Sequence, residues 1–250
     1  MKNSESDTAD DKSPWTQPGF IAAAAAVVAL IVLLGLIVAF TGDSGGDDPG
    51  SAARPPAAVP PKSSASNPDD SVCGLNPGSQ AVPIAAPHAR WELVGRMVAP
   101  SSPDTVGPRI REHGIRSCFA HSPTGALYAS VNLAATATDP ARWESLARRL
   151  LADGPGRDRA LQDIASEKAD PAPSSVQIAG FSFRTFESDT AAVNLALRVD
   201  AGDTAFYARL PTTMKWEKGD WKFVVADNGD PFADLSRIPD LSGYTAWSGA

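Results

Sequence analysis

Cys73 and Cys118 are the only thiols in this 250-residue chain. In an oxidising compartment an even cysteine count suits a disulfide. A single bridge would close a loop of about 45 residues, worth on the order of 3–4 kcal/mol in the chain-entropy picture. Two buried free thiols or an intermolecular bridge are the other readings. The three histidines, His88, His113 and His121, have no ligand spacing to each other or to the cysteines, so no metal site is expected. His121 directly precedes Ser122, and sequence neighbours do not make a nucleophile and its base; His121 reads as a strand-end or capping side chain. Gly154-Pro155-Gly156-Arg157 lacks the Gly-Lys-Ser/Thr ending of a phosphate loop and reads as a helix restart. Nucleophile-elbow, zinc-helix and dinucleotide patterns do not occur. No catalytic residue and no cofactor is therefore assigned, and the chain is read as a non-enzyme. Asp189, Asp200, Asp203, Asp220 and Asp227 fall at strand ends or turns, where carboxylates are solvated. Trp216 and Trp221 read as core and hairpin packing. Together with Tyr207, on the polar face of its strand, they are also the candidate partner-contact aromatics, because Trp and Tyr dominate interface hot spots.

These residues sit downstream of Gly19–Phe40, GFIAAAAAVVALIVLLGLIVAF, which contains no charge. A bilayer core of about 30 Å needs about 20 apolar helical residues, so residues 19–40 are expected to span a membrane. The preceding tail, 1–18, carries four acidic residues and two lysines, and Val38-Ala39-Phe40 is a poor cleavage site, so the segment reads as an anchor and not as a removed signal. Lys12 lies closer to the span than Arg54, which orients the N-terminus to the cytoplasm and the remainder outside. Residues 41–72 are rich in Pro, Gly, Ser, Ala and Asp with almost no large apolar side chain. They are expected to form a disordered tether, about 30 Å in coil dimensions and about 90 Å at full extension. The net charge of −7 resides mostly in tail and tether. The nearly neutral body has no basic stripe, which argues against a nucleic-acid partner.

The globular domain is expected over 73–250. Trp91 to Ala99 reads as one strand ended by Pro100, residues 101–115 as a loop carrying Gly107-Pro108, and Arg116 to Ala120 as a short strand. Three helices follow. The first begins at Ser122-Pro123 with Leu127 and Val131 on one face. The second follows the cap Asp139-Pro140 and stripes Trp143, Leu146, Ala147 and Leu150. The third restarts at Gly154-Pro155 with Leu161, Ile164 and Ala165 inward, and Pro171 and Pro173 end the helical half. Period-two alternation then marks strands over Ala191–Val199 and Thr204–Trp216. Val176 and Ile178 change parity with Phe181 and Phe183, which places a bulge near Gly180. Glu217-Lys218-Gly219-Asp220 turns the chain into Trp221–Val225. Helices first and an antiparallel meander second give an α+β class. Residues from Asp227 on read as loop wrapping the domain.

Phe181–Phe183, Val193–Val199 and the W-x-x-GDW-K run at Trp216–Lys222 resemble the nuclear-transport-factor-two-like cone fold. With an anchor and tether in front, the layout is similar to extracytoplasmic scaffold subunits of type IV secretion and conjugation machines. Cys73-Gly74, Trp91, Gly107-Pro108 and the SPTGALYASVN stretch at Ser122–Asn132 resemble a family of actinobacterial single-pass membrane proteins associated with conjugative elements. The resemblance implies helices packed on a curved sheet, and a scaffold or assembly subunit acting through contacts with other membrane or envelope proteins, with self-association as a further option. It also implies an alternative, an envelope ligand- or cell-wall-binding module using a cone cavity lined by Phe181, Phe183 and Leu195. One class of the cone fold catalyses enolisation, which needs a buried carboxylate base and an oxyanion donor such as Tyr.

Overall fold

A computed structural model describes residues 70–166 and 175–249. The tail, the expected span 19–40, the tether up to residue 69, and Pro171 and Pro173 lie outside the described residues. Among the described residues no helix is long and apolar enough to cross a membrane. Ser71 is buried, and the Val72 amide donates to the Gly219 carbonyl.

Among the described residues the class is α+β: three α-helices and antiparallel sheets. The principal sheet is built on three long strands, β5 (Ser175–Glu187), β6 (Thr190–Ala201) and β7 (Thr204–Glu217), followed by β8 (Asp220–Phe223). Their alternation puts Ile178, Phe181, Val193, Leu195, Leu197, Leu210 and Met214 into the core. Register shifts fall between Ile178 and Gly180 and between Phe183 and Thr185, so the expected bulge is present. It restores Phe181 to the buried face after Ile178.

Helix α1 (Pro123–Ala137) packs on the core side. Ser122 caps it, its side chain accepting from the Gly125 amide, and Pro123 occupies the first turn. The two-residue face seen in the sequence understates its burial. Residues Gly125 through Thr136 are buried nearly all round, as a central helix must be. Its buried polar side chains donate to carbonyls: Ser130 to that of Ala126, Thr136 to that of Asn132, and Asn132 to those of Tyr128 and, across the core, Pro100, while Asn132 Oδ1 has no hydrogen-bond partner among the described residues. Asp139 accepts from the Ala141 amide and opens a 3-10 turn into α2 (Trp143–Leu150), whose Leu146, Ala147 and Leu150 are buried. Helix α3 (Pro155–Ser166) buries Ala160, with Leu161 and Ile164 partly buried against the core. Ala165, expected inward, is exposed.

Among the described residues helices do not come first. Two hairpins precede them: β1 (Arg90–Val94) with β2 (Met97–Ser101), and β3 (Ile110–Glu112) with β4 (Ile115–Ser117). The expected single strand over Trp91–Ala99 is thus a hairpin, and Pro100 lies inside β2 opposite Trp91. The turn is Gly95-Arg96. Gly95 has φ +58, and a Cβ there would meet the Thr138 hydroxyl and the Ala135 carbonyl, so only glycine lets this turn sit on the end of α1. The expected loop 101–115 contains β3, and its turn at His113-Gly114 has positive φ at both residues. Arg116 and Arg111 both reach Glu92 (2.7 and 3.1 Å), joining the two hairpins.

The C-terminal segment does wrap the domain. β9 (Ser236–Ile238) pairs with β7, and β10 (Thr245–Ala246) pairs with β5 at the far edge. The six residues between them must cross the sheet, and α1 occupies the other face. Ala196, pointing away from Leu195 and Leu197, is accordingly as buried as they are. Beyond β10, Trp247 turns into the core against Trp91, Tyr128 and Phe181.

Candidate functional site

Strand β7 carries a different cluster at each end. At the C-terminal end Glu217 and Asp220 close the β7–β8 hairpin, with Lys218 and Gly219 at positive φ. Asp220 was expected to be solvated; it is only 2% exposed. Its carboxylate accepts from the Cys118, Phe119 and Trp221 amides at 3.0, 2.9 and 3.0 Å, with Lys222 Nζ at 3.3 Å. Cys118 is disulfide-bonded to Cys73, Cα atoms 6.2 Å apart. The bridge and the carboxylate together fasten residues 71–73 and 118–119 onto the hairpin. Tyrosine is not among the hydrogen-bonding partners of this carboxylate, whose acceptor sites are taken by backbone amides. That arrangement suits a structural acceptor.

Trp216 and Trp221 complete this cluster. They are 7% and 1% exposed, so both rings pack in the interior of the described domain. Trp221 Nε1 donates to the Ala120 carbonyl at 2.9 Å. His121 stacks on Trp216 with ring centres 4.0 Å apart and planes 8° apart. Its Nε2–H donates to the Ser188 carbonyl at 2.6 Å, with the Asp189 carboxylate 3.6 Å away. His121 is therefore a packing residue locking the β5–β6 turn, while the neighbouring Ser122 is the α1 cap. His113 lies in the β3–β4 turn, and His88 offers its carbonyl to the Tyr128 hydroxyl. Burial pushes the Tyr128 hydroxyl above its ordinary range. Asp189, Asp203 and Asp227 are exposed as expected, and Asp200 pairs with Arg198. Among the described residues no His, Cys, Asp and Glu group could hold a metal ion.

Tyr207 sits at the other end of β7, half-buried. It stands in one row with Arg198 of β6 and Ile238 of β9. Beside this row the sheet opens into a cleft of about 480 Å³ lined by Arg198, Tyr207, Phe206, Arg237, Ile238 and Ala205, with Pro239 at its rim. Arg198 is braced by Asp200, which accepts from its Nε and Nη2 at 3.2 and 3.0 Å. The Arg237 guanidinium lies 4.6 Å over the Phe206 ring. The sequence placed Tyr207 and Arg198 on the polar face. It held no sign of Arg237, because that residue arrives on a strand three residues long. Of the three candidate contact aromatics, only Tyr207 borders open space.

A second cavity, of about 50 Å³, is apolar and lies between the helices and the loop at 229–232, touching Leu133, Trp143, Leu146, Ile164, Phe223 and Phe232. It is not the expected cone cavity. Phe181 and Leu195 are fully buried, and Trp247 packs edge-on against Phe181 at 5.6 Å.

Residues 51–246 match the family model described as a domain of unknown function, DUF8175. The chain belongs to the DUF8175 family. No curated protein and no solved structure matches it. The DUF8175 match takes in both clusters of β7 and the β9 and β10 pairings, and stops just before Trp247.

Proposed function

We propose that this protein is a membrane-anchored, extracytoplasmic assembly subunit that acts through protein contacts. Residues 19–40 are its span, the tether sets its reach, and the domain beyond is a binding module. The observation that carries the reading is the Cys73–Cys118 disulfide, placed where the tether meets the domain. Such bridges persist in oxidising compartments outside the cytoplasm, and this one fixes the attachment point against pulling on the tether. Anchoring raises effective concentration, so weak contacts by the domain suffice. The resemblance to conjugation scaffolds points to a conjugative transfer or type IV secretion-like apparatus as the assembly. The cone-type description belongs to the same proposal; three helices on one face of a long-stranded antiparallel sheet support it.

The test is in-cell crosslinking of tagged full-length protein, followed by solubilisation, pull-down and mass spectrometry. Enrichment of a transfer ATPase, a coupling protein or a polytopic channel subunit is the expected result. Recovery of the protein alone, or only with itself, would defeat the scaffold reading. Protease shaving of intact spheroplasts should remove the domain and leave the tail; a protected domain would overturn the orientation.

A further inference from the structure

Two features of the domain are left unused by its own packing, and they match each other. The first is the loop 81–86, Ala-Val-Pro-Ile-Ala-Ala, none of whose side chains can hydrogen-bond. Runs of exposed apolar residues are avoided on a protein surface unless they serve a contact. Here Ile84 is 93% exposed at a bend, Val82 is 37% exposed, and Ala81, Ala85 and Ala86 are exposed with them. The loop is held from both ends. Gln80 Nε2 donates to the His121 carbonyl at 2.8 Å. Trp247 Nε1 donates to the Pro87 carbonyl at 2.9 Å, and the Tyr128 hydroxyl to that of His88 at 2.7 Å. Pro83 and Pro87 fix their own φ and bias Val82 and Ala86 to extended backbone. Ile84 is thus a pre-set knob, and docking it costs little ordering entropy.

The second feature is the apolar cavity of about 50 Å³ between the helices and the loop at 229–232. Its walls come from α1, α2, α3 and β8, and its rim residues Trp143, Ile164, Pro231 and Phe232 are half-buried, so it opens toward the surface. An apolar hollow offers water no hydrogen-bond partners, and lining atoms that face a void lose dispersion contacts. The size and chemistry suit the end of one aliphatic side chain.

We propose that Ile84 of one copy docks in this cavity of a second copy. The contacts to His121, Tyr128 and Trp247 tie the loop to its own body and hold Ile84 out of its own cavity. Residues 75–89 include no Asp, Glu, Lys or Arg, so the loop has no cation to draw it to an anionic lipid surface. Knob and hole are different surfaces, so the contact is heterologous and passes from copy to copy. One side chain buries far less than the roughly 1,200 Å² of a stable interface. The contact is therefore weak in solution and grows with the density of copies held on one membrane. The proposal goes beyond the assembly reading, from which it takes only the anchoring.

The test places full-length chain with an N-terminal His tag on phosphatidylcholine vesicles containing a nickel-chelating lipid. Copies then share a surface whether or not residues 19–40 insert. A diazirine photoprobe at position 84 is activated among isotopically distinct copies, and the adducts are mapped by mass spectrometry. Adducts to residues 143–164 or 229–232 of a second copy are expected. Adducts confined to lipid, to the same copy or to another part of the second copy would overturn the proposal. With a lysine crosslinker and no photoprobe, Ile84→Asp should lower the dimer yield about tenfold, the scale of burying one aliphatic side chain, and Ile84→Leu should preserve it. An undiminished yield for Ile84→Asp would sink the docking. Photoprobe chain mixed with Ile84→Asp chain should still form adducts, because that variant keeps its cavity; their loss would mean that loop meets loop. Ala160→Leu, which fills the cavity, should abolish the adducts with unchanged circular dichroism, and the adduct map decides the matter if that variant does not fold. The pull-down above is judged by the other proteins it recovers, so the assembly reading stands or falls separately.

Discussion

The two ends of β7 face opposite physical problems. At the C-terminal end, Asp220, Trp216, Trp221 and the disulfide are inside the protein, and the Asp220 oxygens and the Trp221 indole find donors or acceptors there. A buried carboxylate survives only if paired in this way, so this end is built for cohesion. At the N-terminal end, Asp200 braces Arg198 and Arg237 lies over Phe206, beside an open cleft. Charged groups fixed at such a surface contribute little to stability. One strand thus holds the domain together at one end and presents it at the other. Types of residue alone do not separate the two: a Trp and an Asp near a turn proved structural, whereas a Tyr on a polar face borders the cleft.

The contrast predicts a graded series. Asp220→Ala should cost the most, about 4 kcal/mol, because three backbone N–H groups would be left buried without an acceptor. Urea unfolding followed by tryptophan fluorescence measures it, and a loss under about 1 kcal/mol would remove Asp220 from the clamp. Replacing both Cys73 and Cys118 with Ser should cost about 3–4 kcal/mol by releasing the loop in the unfolded chain; no change in the unfolding midpoint would show the bridge to be dispensable. Gly125→Ala should cost about 2–3 kcal/mol. Its Cβ would lie 1.9 Å from the Ala120 carbonyl, the same oxygen that accepts from Trp221, so a near-neutral result in the same titration would mean that this contact relaxes freely.

At the opposite end, Arg198→Gln/Arg237→Gln should shift stability by no more than about 0.5 kcal/mol, as for exposed ion pairs. A loss comparable to Asp220→Ala would erase the distinction between the two ends. The smallest effect belongs to Glu92, away from β7. Burial pushes its carboxyl up, but Arg116 and Arg111 outweigh that and hold it below the ordinary value of 4.5. A depressed folded-state pKa contributes stability above the unfolded value and loses it as pH falls through the folded one. Glu92→Gln should therefore lower stability slightly across the neutral range and flatten the acid limb below about pH 4.5, so that the two proteins converge in acid. Identical acid limbs in the two proteins would show that the hairpin ion pair does not contribute.

Much of the sheet was legible because its signal is local. Val193 to Val199 alternate one by one, and the parity change at Gly180 announced the bulge. Helix α1 was legible from Ser122-Pro123. The early hairpins were not, since Leu93-Val94 and Met97-Val98 continue each other's apolar character across Gly95-Arg96. The need for glycine there comes from Thr138, more than forty residues later in the chain. The buried state of Asp220 was equally hidden: the amides it accepts from belong to Cys118 and Phe119.

Composition and periodicity by themselves fixed the α+β class, the three helices, the long strands and the pairing partners open to two cysteines, because each depends on neighbours within a turn or a strand. Tertiary structure decided which carboxylate is buried, which aromatics face inward, where the C-terminal segment closes over the sheet, and that Arg198 and Arg237 share one cleft. Those outcomes depend on groups far apart in the chain. Their energies exist only once the backbone has brought donor to acceptor and ring to ring, and a one-dimensional pattern does not encode that distance.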